Sequence, residues 1–112
     1  MVIMMNNYEK YVKDFVYEVI NNSEDDEISI SFDSLLELYR KSKLSNFKFT
    51  SDVIESDVIN FEPFVTIREC FYVDEKYSIC FDVVYAESGI TSISGYIFDR
   101  SINDVVVYIC VH

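Results

Sequence analysis

Four stretches in the C-terminal half of the chain alternate apolar with polar side chains, at about residues 64–73, 77–86, 90–98 and 104–111. A period of two sends successive side chains to opposite faces of a strand. The links are Asp74-Glu75-Lys76, Glu87-Ser88-Gly89 and the run from Asp99 to Asn103. Connections this short join antiparallel neighbours, so this half reads as a meander. The segment before it is less regular. Phe47-Lys48-Phe49-Thr50 has the makings of a short strand, while 52–62 brackets Val53-Ile54 and Val58-Ile59 with acids and stays open between strand, helix and loop.

The N-terminal half has a period of 3.6. Tyr8, Val12, Phe15 and Val19 share one helical face, Asn6 and Glu9 have the spacing of a capping box, and Glu9 with Lys13 forms an i,i+4 pair. This predicts a helix over 6–21, stopped at Asn21-Asn22, followed by a solvated loop, Ser23-Glu24-Asp25-Asp26-Glu27. A second helix is expected over 32–44, capped by Ser31 or Ser34, with Phe32, Leu35, Leu36 and Tyr39 on its apolar face. Arg40, Lys41 and Lys43 in its last turns complement the helix dipole and need no nucleic acid to explain them. The expectation is one α+β domain over 1–112, with two helices on one face of a four- to five-stranded antiparallel meander sheet.

Symmetric three-residue turns would place Val73 opposite Tyr77 and Ala86 opposite Ile90, and so sort the strand residues. One face collects Val65, Ile67, Phe71, Val73, Ile79, Phe81, Val83, Ile93, Ile97, Val105, Val107, Ile109 and Val111. This is the expected core, with Glu69 as its one anomaly and Gly95 leaving room for the Phe81 ring. The other face carries Tyr72, Tyr96 and Tyr108, an Arg68–Asp82 pair, and Cys70 beside Cys80. It is either a binding platform, a solvated surface, a surface covered by residues 45–62, or a dimer interface.

Charge supplies the strongest functional constraint. The 112 residues carry 20 acids against 9 bases, a formal net charge of −11, yet half are hydrophobic and 16% are Phe or Tyr. An acidic disordered tail would lack those aromatics. The acids are spread along the chain, eleven against six bases in residues 1–56 and nine against three in 57–112. Such a field repels nucleic acid and anionic lipid and draws in cations. The opening Met1–Met5 carries no basic residue and is too short for a secretory signal, and no apolar run spans a membrane. With three cysteines, an odd number, the chain suits a reducing cytoplasm.

No residue pattern announces a reaction. Three thiols and His112 suit zinc by type, but Cys110 lies two strands from Cys80, about 10 Å away. A Cys110–His112 nucleophile would depend on a terminal base with nothing to orient it. Two glycines exclude a phosphate-cradling loop, and Glu24–Glu27 lacks the pattern of a calcium loop. The expectation is therefore a non-enzyme without catalytic residues, cofactor or metal.

In size, charge and composition the chain is similar to bacterial immunity proteins against toxin nucleases. That likeness implies a small binding protein that masks a basic protein partner. The expected acidic contacts are Glu24, Asp25, Asp26, Glu27, Asp52, Glu55, Asp57 and Glu62, with Tyr72, Tyr96 and Tyr108 as anchors. Two alternatives rest on the same residues. One is a phage-encoded inhibitor that mimics nucleic acid, such as an anti-CRISPR protein. The other is a homodimeric structural or regulatory subunit joined through the tyrosine face.

Overall fold

Asn6 caps the first helix as its spacing predicts, its Oδ1 accepting a hydrogen bond from the Glu9 amide at 2.8 Å. A computed structural model describes residues 6–22 and 24–112, so the Met1–Met5 stretch and Ser23 lie outside the described residues. Helix α1 runs Asn7–Asn22 and buries Val12 and Val16, with Phe15 and Val19 half-buried. The buried stripe is thus centred nearer Val16 than the sequence face implied, and Tyr8 stays exposed. Its i,i+4 pair is Lys10–Asp14 at 2.9 Å. Glu9 turns instead to the Asn46 amide.

Strand β1, Glu27–Ile30, is the next element. Helix α2, Phe32–Leu44, has Ser31 as its cap, Oγ accepting from the Ser34 amide at 3.1 Å, and buries Leu35, Leu38 and Tyr39. The remaining strands are β2 (Phe49–Ile59), β3 (Glu62–Tyr72), β4 (Tyr77–Ala86), β5 (Gly89–Asp99) and β6 (Asp104–Val111). They form one sheet in the order β1-β6-β5-β4-β3-β2. The described residues make an α+β fold, with two helices and a six-stranded mixed sheet.

Two strands depart from the sequence expectation. Glu27 does not belong to a solvated loop: it opens β1, which pairs parallel with β6 through Glu27–Tyr108 to Ile30–Val111. The sheet therefore has six strands with one parallel pair, where four to five antiparallel strands were expected. Residues 49–59 form an edge strand in the plane of the sheet and so cover neither face. β1 and β2 occupy opposite edges, separated by five strand spacings, about 24 Å. Helix α2, roughly 20 Å long by its residue count, carries the chain across that width.

The core lies between helices and sheet. Val12, Val16, Leu35, Leu38 and Tyr39 meet Phe71, Ile79, Phe81, Val83, Ile93, Ile97, Val107 and Ile109. Gly95 faces Phe81 across β4 and β5. A Cβ at Gly95 would stand 3.2 Å from the Cys80 carbonyl oxygen and 3.6 Å from Leu35 Cδ1 and Phe81 Cδ1, so the absent side chain is a packing requirement. Glu69, the anomaly of the core face, is buried but satisfied. Its carboxylate accepts from the Tyr39 hydroxyl at 2.5 Å and meets Lys43 at 3.6 Å. Tyr39 is tied in turn to the Tyr85 hydroxyl.

Two bulges alter the expected register. Ala86 pairs with Gly89 and Tyr85 with Ile90, while Val84 pairs with Ser92, so Thr91 is the extra residue and Ile90 turns to the core side. Val107 pairs with Ile97 but Val105 with Phe98. Val105 therefore leaves the core face to which alternation assigns it, and Val106 packs against the core.

Candidate functional site: the open sheet face and its acidic edges

Among the described residues no helix or strand covers the face of the sheet opposite the helices, and register sorts it into rows. One row crosses all six strands as Thr50, Cys70, Cys80, Tyr96, Tyr108 and Glu27. A second runs Asp52, Arg68, Asp82 and Ser94. Tyr72, Ser78, Phe98 and Val105 form a third. The three predicted tyrosines thus share this face, with Tyr96 and Tyr108 in ring contact at 6.5 Å. Tyr108 is 51% exposed and Tyr72 39%.

Both arginines of this face are occupied. Arg68 donates to Asp82 from Nε at 2.8 Å and from Nη2 at 3.0 Å, and lies over the Tyr96 ring. Those bonds hold its guanidinium above even the usual arginine value. Arg100 donates to the carbonyl of Tyr77, the hydroxyl of Ser78 and the carbonyl of Asp74, and stacks 4.6 Å from the centre of the Tyr72 ring. Beside it, a cavity of about 240 Å³ is lined by Cys70, Tyr72, Cys80, Tyr96, Phe98 and Arg100 among others. A second depression, about 300 Å³, lies further along the same face between Ile59, Glu62, Phe64, Val84 and Ala86.

The predicted acids do not form one patch. They flank the face on its two sides. Glu24, Asp25 and Asp26 form the bend before β1, and Glu27 opens that edge strand. Asp52, Glu55 and Asp57 lie on β2 at the other edge, and Glu62 begins β3. The β2 acids share a face because of a bulge. Val53 pairs with Ile67 but Glu55 with Thr66, leaving Ile54 unmatched. Without that extra residue Asp52 and Glu55, three apart, would point to opposite sides. With it, Asp52, Glu55 and Asp57 all stand on the open face. Among the described residues none of these three, nor Glu62, makes an ion pair.

Charge is partitioned between the layers. The two helices hold five acids and five bases, a balance of zero. The other fifteen acids and four bases, and with them the whole −11, lie in the strands and connections.

Sequence reasoning overlooked Phe61. The β2–β3 turn is made by Asn60 and Phe61, at φ 52° and 64°. Both are left-handed, as a two-residue hairpin turn of this hand requires. Asn tolerates that region, but a bulky aromatic does not, and Phe61 is also fully exposed. Exposed Val53, Val58 and Ile59 accompany it on the same hairpin. The signal lay in the Asn60-Phe61 dipeptide between two strands, which became visible only once 49–59 was known to be a strand.

Among the described residues no group of three or more His, Cys, Asp or Glu side chains gathers to hold a metal, and no helix is long and apolar enough to cross a membrane. No protein-family model, curated protein or solved structure matches the chain.

Proposed function

We propose that this chain is a small acidic, non-catalytic binding protein that masks a basic protein partner, in the manner of bacterial immunity proteins that inhibit toxin nucleases in the cytoplasm. One observation carries the reading: an aromatic sheet face whose own arginines are tied up internally, bordered on the β2 edge by Asp52, Glu55, Asp57 and Glu62, which make no ion pair among the described residues. Carboxylates at the rim speed encounter with a cationic surface. Aromatic side chains at the centre supply contact area that can be desolvated.

The β2–β3 hairpin adds a second element to this reading. A strained, fully exposed Phe61 has no structural use, because the turn would be more stable with glycine. Strain retained at an exposed position points to function. Phe61 is the apolar anchor at the tip of an acidic arm. The free edge of β2 does not favour pairing with a second copy of the chain, since antiparallel self-pairing about its middle would bring the Asp52, Glu55 and Asp57 group of one copy up to the same group of the other.

The test is affinity capture from the source cell with the intact chain as bait, followed by binary titration of the purified partner. The expected partner is strongly basic, is inactivated on binding, and binds more weakly as salt rises. A neutral or acidic partner, or salt-insensitive association, contradicts the proposal.

A further inference from the structure

Cys70 on β3 and Cys80 on β4 are direct register partners on the open face. Such antiparallel partners have Cα atoms about 4.5–5.5 Å apart, within the range a disulfide spans. The two thiols differ sharply in environment. Cys70 is half-buried and Cys80 is 3% exposed. A hydrogen bond from the Cys80 thiol, working against burial and aided by Tyr96, the Arg68 charge and Thr50, brings the Cys70 thiol down to about 7. The same partnership with Cys70, together with burial, pushes Cys80 up and keeps it protonated. Both line the cavity of about 240 Å³ that opens beside Tyr72 and Arg100.

We propose that this pair is an oxidation site for hydroperoxides, with Cys70 the attacking sulfur and Cys80 the resolving one. The Cys70 thiolate attacks the terminal peroxide oxygen and the O–O bond breaks. An S–O bond forms, and the leaving alkoxide or hydroxide takes a proton from water, giving a sulfenic acid on Cys70. Cys80 Sγ then attacks Cys70 Sγ, an S–S bond forms, and the sulfenic oxygen leaves as water with the Cys80 proton. The two thiols lose two electrons together and the peroxide gains them. Cys110 is excluded by distance, because β5 stands between its strand and β4. Its thiol is also pushed up by the Glu27 carboxylate.

The inference is independent of the partner and is tested on the purified chain. Wild type and Cys110→Ser are treated with hydrogen peroxide at pH 7, and intact mass and peptide mapping are recorded. The expected result in both is loss of two hydrogen atoms and an intramolecular Cys70–Cys80 link that dithiothreitol reverses. Cys80→Ser should instead accumulate a Cys70 sulfenic acid that dimedone traps. In wild type, Cys70 should react roughly tenfold or more faster than Cys110, following thiolate fraction. Preferential oxidation of Cys110, or a Cys70 that proceeds to sulfinic acid with Cys80 intact beside it, overturns the proposal.

Discussion

Arg68 and Asp82 meet across β3 and β4 in a two-point bridge, Nε to Oδ1 at 2.8 Å and Nη2 to Oδ2 at 3.0 Å. Asp52, on the other side of Arg68 in the same row, makes no ion pair. Because the Arg68 side chain remains 42% exposed, the bridge contributes modestly to stability. Asp82→Asn should cost no more than about 1 kcal/mol in urea unfolding. Arg68→Gln should be equally mild for the fold, and by making the face more negative it should raise the association rate with a basic partner.

The buried Tyr39–Glu69 contact should matter more. Tyr39→Phe removes the hydroxyl that satisfies a carboxylate only 5% exposed, and also the partner of Tyr85. A loss of about 1–3 kcal/mol is expected by chemical denaturation. Glu69→Gln, which keeps an acceptor for Tyr39, should lose less than Tyr39→Phe.

These contacts also show how far the sequence was legible. Alternation placed Arg68 against Asp82, Cys70 against Cys80 and Gly95 against Phe81, because strands packed on one side carry a strict period of two. It failed at both edges. β1 is four residues long, with a polar run just before it, and exists by pairing with β6. Every residue of β2 is exposed, so no buried face imposes alternation, and the bulge at Ile54 breaks what pattern there is. The same bulge gathers Asp52, Glu55 and Asp57 on one face, a placement their spacing in the sequence does not show. Val105 was misassigned for a related reason, since a bulge shifts parity without changing composition.

The Tyr17–Asp74 hydrogen bond links stability to pH at both ends of the scale. Burial works against ionisation of Asp74, but hydrogen bonds from Tyr17 and from the Tyr77 and Lys76 amides outweigh it and hold the carboxyl below its ordinary value. Its stabilising contribution is present above about pH 4 and is lost as pH falls further. Tyr17 is pushed up to about 12, first by its bond to Asp74 and then by burial. Its contribution is complete below about pH 10 and lost as pH rises from there toward 12. Melting temperature against pH should show both losses in wild type. In Tyr17→Phe both losses should shrink, the alkaline one because the titrating hydroxyl is gone and the acid one because the Asp74 carboxyl is held less far below its unfolded value.

Replacing Phe61 separates a functional role from a structural one. Phe61→Gly relieves a left-handed aromatic and should stabilise the fold by about 1 kcal/mol. The same change should weaken partner binding. A variant that is more stable and binds equally well would remove Phe61 from the binding surface.

An open-face site for a basic partner makes association depend on where the acids lie and not only on their number. The rate of association with the captured partner should be measured by stopped flow for two triple variants of identical net charge. One is Asp52→Lys, Glu55→Lys, Asp57→Lys on the β2 edge, and the other Asp14→Lys, Glu18→Lys, Asp33→Lys on the helix layer. The β2 variant should associate roughly tenfold or more slowly than wild type at low salt, with the gap closing as salt rises, while the helix variant stays much nearer wild type. Equal slowing of the two variants, or of neither, would contradict an acidic, open-face site for a basic partner.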